Sequence, residues 1–295
     1  MLSIFAATIC LTSPFGKAEV ATYGGVVTSW VPQGGEEVFA MARPYGTCPR
    51  GAQIHGGLPI CWPWAVFEGP DGRKGRIHGV TRYGDWTVKA RADDAVTLAL
   101  EDTEESRRAW PHAFHAELTY RLGRELVAEF RVTNTDRGPY SCTELIHPYF
   151  RVGDATRCAV DGLDGARYFW KGEAEKGDRR VWRGKFPGRA FAKGGPGYVF
   201  EAGPGKRSID DPALGRVITV DYENVIKSVV FGAEASFAEY GGADEPDFGR
   251  RFLCVEGGTL YRDRAYVLRP GETHVVKATV SVTPRPPDGK PASGL

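Results

Sequence analysis

The sequence lacks an excess of charge of either sign. Its 295 residues include 38 Lys and Arg and 37 Asp and Glu, which gives a formal net charge of +1 at pH 7. Proteins that bind nucleic acids or anionic membrane surfaces usually show a basic excess. The balance of charge therefore predicts neither a nucleic-acid partner nor a membrane partner.

Long apolar runs and closely spaced cysteine pairs are also missing. No apolar run reaches the roughly 18 residues of a membrane-spanning helix. The apolar opening has no Lys or Arg before Lys17, whereas a secretion signal begins with positive charge. The six cysteines form no C-x-x-C pair and are too sparse for a disulfide-stapled secreted domain. We predict a cytoplasmic protein with reduced, mostly buried thiols at Cys10, Cys48, Cys61, Cys142, Cys158 and Cys254.

Common short catalytic motifs are absent as well. The sequence has no G-x-S-x-G elbow, P-loop, G-x-G-x-x-G turn after a strand or H-E-x-x-H helix. His112 and His115 have a spacing that suits a metal on a helix, but they lead into a strand, where an odd offset turns side chains to opposite faces. We therefore predict two surface histidines there, and no metal ion or other cofactor.

Glycine and proline, by contrast, are abundant, with 38 and 20 residues. Both break helices and mark turns, which favours an all-β protein with many hairpins. The clearest hairpin lies between Ala116 and Thr133, where apolar residues alternate with polar ones on both sides of Gly123-Arg124. This period-two alternation predicts two antiparallel strands with one buried face.

The rest of the chain shows the same preference for strands. Helical periodicity is confined to Thr103–Ala109, which Pro111 ends, and the stretch from Lys185 to Lys206 resembles an irregular excursion. We predict one large antiparallel β-sandwich domain over residues 1–283, with few short helices, and a disordered tail over residues 284–295. Further strands are predicted at Thr8–Leu11, Glu19–Tyr23, Val26–Val31, Val217–Tyr222, Ser228–Phe231, Arg251–Val255 and Val275–Val282.

Three segments concentrate unusual residues. The first reads GGLPICWPW at 56–64 and continues with HGVTRYGDW at 78–86; the second reads ELIHPYF at 144–150, followed by VGD; the third reads CVEGG at 254–258. A carboxylate at the end of an apolar strand needs a partner or a purpose. Loops rich in Gly and Trp often stack on sugars, although they also serve as packing corners.

In this order, the segments resemble the aldose 1-epimerase (mutarotase) superfamily, most closely its hexose-6-phosphate mutarotase branch, also called glucose-6-phosphate 1-epimerase. The matching stretches are GGLPICWP, HGVTR, HPYF with VGD, GDRRVW and CVE, and the opening LTSPFGKAEVATYGGVVTSW resembles the first hairpin of the family. The similarity runs from about Thr8 to Val282. It implies a β-supersandwich of the galactose mutarotase type, with a concave sugar site and without a metal or cofactor.

The resemblance also implies roles for individual residues. His147 of HPYF matches the general acid that protonates the ring oxygen, and Glu256 of CVE matches the general base that takes the proton of the anomeric hydroxyl. His78 of HGVTR matches a substrate-binding histidine, and Arg82 matches a basic residue near the phosphate. Asp178 of GDRRVW matches a carboxylate that binds sugar hydroxyls.

The sequence departs from the family pattern in ways that weaken the expected binding of a substrate phosphate. Members of the phosphate branch commonly carry Arg just before the Gly-Gly pair, where this chain has His55, a group that is mostly neutral at pH 7. Phe231-Gly-Ala-Glu replaces a W-N-P-W-like stretch, and GDRRVW is an approximate match. Arg73, Lys74 and Arg76 lie just before His78 and could compensate, but a solvated loop explains them better.

Three hypotheses follow from these residues. The first is an isomerase that interconverts the α and β anomers of a hexose 6-phosphate, such as glucose 6-phosphate, by acid–base catalysed opening and closure of the ring. The second is a mutarotase for unphosphorylated aldoses, which His55 favours. The third is a non-catalytic sugar-binding module on the same fold, although binding alone needs no acid–base pair. We expect a monomer with a small sugar or sugar phosphate as its ligand.

Overall fold

The computed structural model describes residues 7–49, 51–170, 180–191, 197–232, 247–260 and 265–287. Over these ranges the chain forms 22 strands and one α-helix. Every pairing between the strands is antiparallel. This architecture confirms the predicted all-β antiparallel sandwich with few short helices.

The strands of the first half of the chain are β1 (Thr8–Ser13), β2 (Gly16–Ala21), β3 (Val26–Pro32), β4 (Ile60–Cys61), β5 (Thr87–Arg91), β6 (Ala95–Glu101), β7 (Phe114–Leu122), β8 (Leu126–Asn134), β9 (Tyr140–Cys142), β10 (Glu144–Ile146) and β11 (Tyr149–Arg151). Those of the second half are β12 (Ala159–Asp161), β13 (Arg167–Trp170), β14 (Arg180–Val181), β15 (Phe186–Pro187), β16 (Tyr198–Phe200), β17 (Gly205–Asp211), β18 (Arg216–Glu223), β19 (Lys227–Phe231), β20 (Phe252–Thr259), β21 (Tyr266–Leu268) and β22 (Thr273–Pro284).

Two large sheets make up most of the fold. One has nine strands in the order β15-β12-β17-β18-β22-β8-β7-β6-β5, and the other has eight, in the order β14-β13-β16-β19-β20-β10-β4 with β11 also paired to β20. Strands β1 to β3 form a small sheet of their own, and β9 pairs with β21. The two large sheets pack face to face. Tyr222 of β18 crosses the space between them and donates its hydroxyl to the Val255 carbonyl of β20 at 2.7 Å.

The hairpin predicted at 116–133 is confirmed as β7 and β8. Its register pairs Leu122 with Leu126, so the connecting loop has three residues, one more than the predicted Gly123-Arg124 break. Side chains alternate between buried and partly exposed along both strands, and Leu118, Tyr120 and Phe130 are fully buried. The helix predicted near 103–109 is also confirmed, as α1 (Glu104–Ala109).

The capping of α1 explains its position. Thr103 and Ser106 form a reciprocal capping box, in which each hydroxyl accepts a hydrogen bond from the backbone N–H of the other, at 3.1 and 2.8 Å. No helix in the described ranges combines the length and the apolar character needed to cross a membrane. None of the six cysteines forms a disulfide, and Cys61, Cys142, Cys158 and Cys254 are buried.

The structure differs from the sequence expectations in two segments. The stretch from 185 to 206 is not wholly irregular, because β16 lies within it and pairs with β13 and β19 inside the eight-stranded sheet. Strand β20 does not end at Val255 but continues through Glu256 and two glycines to Thr259, since β10 and β19 pair with it on both sides.

The last of the described residues follow strand β22. Strand β22 ends at Pro284, and the next residue, Arg285, donates its Nε–H to Asp210 Oδ1 at 2.5 Å. Residues 288–295 lie outside the described residues. The division into a domain over 1–283 and a tail over 284–295 stays a prediction.

Candidate active site

His147 and Glu256 lie directly opposite each other in the eight-stranded sheet. Two register pairs flank this position, Ile146 with Gly257 in β10 and Tyr149 with Cys254 in β11. Pro148 separates β10 from β11, because its nitrogen has no hydrogen to donate to a ladder. The interruption leaves His147 at a break in the strand, next to the middle of β20.

The two glycines after Glu256 allow β20 to occupy this crowded place. A Cβ on Gly257 would lie 2.7 Å from the Tyr222 ring, and a Cβ on Gly258 would lie 2.3 Å from the Glu144 carbonyl oxygen. Any larger residue would push β20 away from its neighbours. The CVEGG stretch therefore holds a carboxylate on one face of the sheet, while its two glycines allow close contact with Tyr222 and with the backbone of Glu144.

The side chains of His147 and Glu256 form a buried pair. His147 Nε2 lies 3.5 Å from Glu256 Oε1, and the two side chains are 6% and 4% exposed. The Tyr149 ring stacks on the His147 ring, with centroids 4.8 Å apart and an angle of 12° between the planes. Burial raises the pKa of Tyr149, so its phenol stays neutral at physiological pH. Stacking and strand position together fix the imidazole.

His78 lies beside this pair in a strained loop. Its φ of 67° is in the left-handed region, and its ring centroid is 5.3 Å from that of His147 in an edge-to-face arrangement. The His78 Nδ1–H donates to the Ala65 carbonyl at 2.5 Å, and the backbone N–H donates to the Val66 carbonyl at 2.9 Å. The Nδ1 bond leaves Nε2 of a neutral imidazole as the hydrogen-bond acceptor.

Glycines on either side of the site hold the loops in place. Gly79 follows His78 with a φ of 77°, and a Cβ there would lie 2.1 Å from the Trp62 carbonyl oxygen. Gly57 of the GGLP stretch has a φ of 70°, and a Cβ there would lie 2.2 Å from the Val27 carbonyl oxygen. Positive φ and close backbone approach both require glycine at these positions.

Arg82 is buried rather than open to solvent. Its side chain donates to the Ile54 carbonyl, and the Gln53 amide, with its oxygen turned toward the guanidinium, accepts from the same group. His55 lies within the electrostatic range of this arginine. Burial, together with the positive charges of Arg82 and Arg43, lowers the pKa of His55 to about 4. His55 is therefore neutral at pH 7 and supplies no positive charge.

The other predicted positions lie elsewhere or outside the described residues. Asp178 falls in the range 171–179, which the structure does not describe. Exposed Arg73 and Arg76 form surface ion pairs with Asp71, at 3.0 Å, and with Glu105, at 3.6 Å. These pairs agree with the prediction of a solvated loop before His78.

The histidines at 112 and 115 contact different partners. His112 Nδ1 lies 3.1 Å from Asp136 Oδ2, whereas His115 Nε2 lies 2.8 Å from Glu117 Oε1. Both side chains are partly exposed. His115 belongs to β7 of the nine-stranded sheet, whereas Glu256 belongs to β20 of the eight-stranded sheet.

Sequence reasoning assigned no role in the site to two side chains on the face of the sheet that holds Glu256. Cys254 lies two residues before Glu256 on β20, and the metal-ligating atoms of His147, Cys254 and Glu256 all lie within 4.8 Å of one another. Lys227 of β19 is 2% exposed, with Nζ 5.6 Å from the Phe169 ring centroid. A lysine in phase with a buried valine, here Val229, is rare, and that pattern in KSVVF could have drawn attention to it.

The pair of His147 and Glu256 can carry out acid–base chemistry. The carboxylate can accept a proton, and the imidazole can hold or release one, within a few ångströms of the same point. Stacking on Tyr149 fixes the imidazole, and strand pairing on both sides of β20 fixes the backbone that carries Glu256. The arrangement is suited to moving two protons on one small polar molecule.

Comparisons with known proteins agree with this chemistry. A family model described as aldose 1-epimerase matches residues 7–281. An Escherichia coli protein named "Putative glucose-6-phosphate 1-epimerase" is 31% identical over 257 residues, covering 84% of this chain and 81% of the relative. A Salmonella typhimurium protein of the same name is 31% identical over 262 residues, covering 86% of this chain and 82% of the relative.

A solved structure extends the likeness to three dimensions. The crystal structure of a "putative mutarotase" from Salmonella typhimurium superposes with a TM-score of 0.80 at 26% identity, covering 94% of this chain and 90% of the other. A galactose mutarotase-like protein from Lactobacillus casei shares the fold, with a TM-score of 0.75 at 18% identity and coverage of 94% and 100%. The chain is an isomerase that belongs to the aldose 1-epimerase family.

Proposed function

We propose that the protein interconverts the α and β anomers of a hexose 6-phosphate, with His147 as general acid and Glu256 as general base. The observation that carries the proposal is the buried contact of 3.5 Å between His147 Nε2 and Glu256 Oε1. The two contact atoms form an ion pair when the imidazole is protonated and the carboxylate is ionised. That is the state in which the acid holds a proton to give and the base can take one.

The reaction needs two proton transfers, one at each of the two oxygens bonded to C1. Glu256 takes the proton of the O1 hydroxyl while His147 gives a proton to the ring oxygen O5, and the C1–O5 bond breaks to leave an aldehyde. Rotation about C1–C2 followed by the reverse transfers closes the ring as the other anomer. O1 and O5 are both bonded to C1, so an acid and a base that converge on one point match their geometry. General acid–base catalysis of this kind contributes about 10²–10⁴-fold per group.

His78 would bind the sugar beside the pair. Its Nδ1–H is committed to the Ala65 carbonyl, so the ring presents Nε2 as an acceptor for a sugar hydroxyl. In this proposal Asp178, in the range 171–179, binds other hydroxyls. Both assignments extend the family resemblance residue by residue.

The phosphate would lie near His55, between two cationic side chains. Arg82 donates to the carbonyl of Ile54, the residue before His55. Ala42, the residue before Arg43, donates its backbone N–H to the His55 carbonyl at 2.9 Å. Guanidinium groups bind phosphate through charge-assisted hydrogen bonds, so two of them can compensate for the arginine that His55 replaces. The names of the relatives, which refer to glucose 6-phosphate, support the same substrate.

Activity on free aldoses is the second candidate. His55 is neutral, and Arg82 already donates to the Ile54 carbonyl and the Gln53 amide. Both observations leave less positive charge for a phosphate than the arginine that the phosphate branch carries just before the Gly-Gly pair would give. A mutarotase for unphosphorylated sugars would need only the acid–base pair and His78.

Exchange between anomers, followed by NMR, separates the candidates. We expect kcat/KM for glucose 6-phosphate to exceed that for glucose at least tenfold. Arg43→Gln should raise KM for the phosphorylated sugar alone, and His55→Arg should lower it. Equal efficiency on both sugars would favour the second candidate. A folded protein that exchanges neither sugar would favour the non-catalytic sugar-binding module instead.

A further inference from the structure

Cys254 lies beside the proposed acid–base pair. It shares a face of β20 with Glu256, since side chains two residues apart on a strand point the same way. His147 lies opposite Glu256, and the nitrogen, sulfur and oxygen ligand atoms of the three residues are all within 4.8 Å of one another. All three side chains are buried. The proposed mechanism makes no use of the thiol.

We propose that His147, Cys254 and Glu256 form an inhibitory binding site for Zn²⁺. One imidazole nitrogen, one thiolate sulfur and one carboxylate oxygen are the three ligand types that zinc takes in proteins, and three protein ligands plus one open position is a common zinc arrangement. The thiolate selects against Mg²⁺ and Ca²⁺, which prefer oxygen ligands.

Charge balance favours a divalent ion at this position. A thiolate and a carboxylate carry two negative charges, and a neutral imidazole adds none, so the complex with Zn²⁺ has no net charge. Burying a neutral complex avoids most of the cost of burying separate ions. A monovalent cation would leave one negative charge in the buried site.

The geometry requires only a small closure. Zinc bonds are about 2.3 Å to sulfur and about 2.0–2.2 Å to nitrogen or oxygen, so tetrahedral ligand atoms lie roughly 3.5 Å apart. The contact between His147 Nε2 and Glu256 Oε1 already has this length, at 3.5 Å. The widest separation in the group, at most 4.8 Å, must close by little more than ~1 Å. Rotation of the Cys254 and Glu256 side chains can supply this movement.

Zinc at this site would occupy the atoms that catalysis needs. The ion would take the lone pair of His147 Nε2 and one oxygen of Glu256, so neither residue could transfer a proton while zinc is bound. Sugar and metal would compete for the same position. The inhibition rests on the proposed function, whereas the metal site itself does not.

Zinc binding is tested first without any assay of activity. Chelator-treated protein is titrated with ZnCl₂ by calorimetry, and with CoCl₂ while the near-ultraviolet absorption of a thiolate–cobalt bond is recorded. We expect one zinc per chain in the wild type and a cobalt–thiolate band. Cys254→Ser should weaken zinc binding at least tenfold and abolish the band.

The exposed Cys10 supplies the matched control, because it is the thiol most open to adventitious metal. Cys10→Ser should bind zinc as the wild type does. Loss of binding in Cys10→Ser, equal binding in Cys254→Ser, or the absence of saturable binding in the wild type would each overturn the site. The cobalt spectrum of the wild type decides the matter even if Cys254→Ser fails to fold.

The inhibitory role is tested by anomer exchange in the presence of zinc. We expect Zn²⁺ to raise the apparent KM for the sugar with little change in kcat, and Mg²⁺ to have no effect. Cys254→Ser should keep a basal rate within a few-fold of the wild type and need at least tenfold more zinc for inhibition. Zinc that binds without inhibiting would overturn the inhibitory role. If the protein exchanges no sugar, the proposed function fails while the binding titration still decides the metal site.

Discussion

Two buried pairs of histidine and glutamate in the described part of the chain have nearly the same separation but different surroundings. His147 Nε2 lies 3.5 Å from Glu256 Oε1, and His274 Nε2 lies 3.4 Å from Glu144 Oε2. His274 is the more exposed histidine, with 15% of its side chain accessible against 6% for His147. Neither separation nor exposure therefore tells a catalytic pair from a structural one.

Position in the sandwich separates the two pairs. Glu144 of β10 and His274 of β22 belong to different large sheets, so their contact ties the sheets together across the core. The Thr259 backbone N–H also donates to Glu144 Oε1 at 3.0 Å, and the Tyr266 ring stacks on His274 with centroids 3.8 Å apart. Such contacts on both members leave a stable structural pair.

The pair of His147 and Glu256 lies within one sheet, on the opposite face from Glu144. Its neighbour is the imidazole of His78, the proposed sugar-binding group, whose ring centroid lies 5.3 Å from that of His147. Acid–base chemistry depends on neighbours that can receive a substrate. We infer that the first pair is catalytic and the second is structural.

The largest expected difference between the pairs concerns the histidines. His147→Asn should lower kcat for anomer exchange by two or more orders of magnitude, because the amide cannot donate and recover a proton as imidazole does. His274→Asn should leave kcat within a few-fold. Circular dichroism of both variants checks that the fold is intact. A folded His147→Asn variant with near-normal kcat would remove His147 from the mechanism.

The free energy of unfolding should depend more on the pair of Glu144 and His274 than on the pair of His147 and Glu256. Glu144→Gln should lower the free energy of unfolding by about 1–3 kcal/mol, because it weakens a contact between the sheets and disturbs the hydrogen bond from Thr259. Urea denaturation of this variant measures the loss, with His147→Asn as the reference from the other pair. Equal stability of the wild type and Glu144→Gln would show that the cross-sheet pair contributes nothing.

The smallest effect concerns His55, the residue beside which we propose that the phosphate binds. Its folded pKa is about 4, below the ordinary value of 6.5, so the unfolded chain takes up a proton first as the pH falls. This histidine therefore destabilises the fold progressively between about pH 6.5 and pH 4, and has almost no effect above that window. His55→Gln should remove up to about 2 kcal/mol of the loss between pH 7 and pH 5.

Melting curves of the wild type and His55→Gln at pH 7 and pH 5 check this value. At pH 7 the two proteins should melt at similar temperatures, which is the internal control. If the difference in melting temperature between the two proteins is the same at pH 5 as at pH 7, the pKa of His55 in the folded protein is not lowered.

The sequence indicated the fold well where alternation was regular. The hairpin of β7 and β8 has a strict period of two, which depends only on which face is buried. The end of β20 was wrong because Glu256 and the following glycines are poor strand formers. Pairing with β10 and β19 on both sides overrides that local preference. Strand β16 was also overlooked, since three residues give too little pattern.

The candidate site was indicated in part. His147, Glu256 and His78 belong to ordered motifs, and the structure brings these three together. The burial of Arg82 and the thiol of Cys254 beside the pair depend on how separate strands meet, which one sequence does not display. The contact between Glu144 and His274 joins residues far apart in the chain for the same reason.

Anomer exchange catalysed by Glu256→Gln and Glu144→Gln, measured side by side, tests the central claim most directly. Each variant exchanges one buried carboxylate for an amide of the same shape, and each carboxylate lies within 4 Å of a histidine. The account predicts that Glu256→Gln loses at least a hundredfold in kcat, while Glu144→Gln keeps a rate within a few-fold of the wild type. Similar rates in the two folded variants would contradict it.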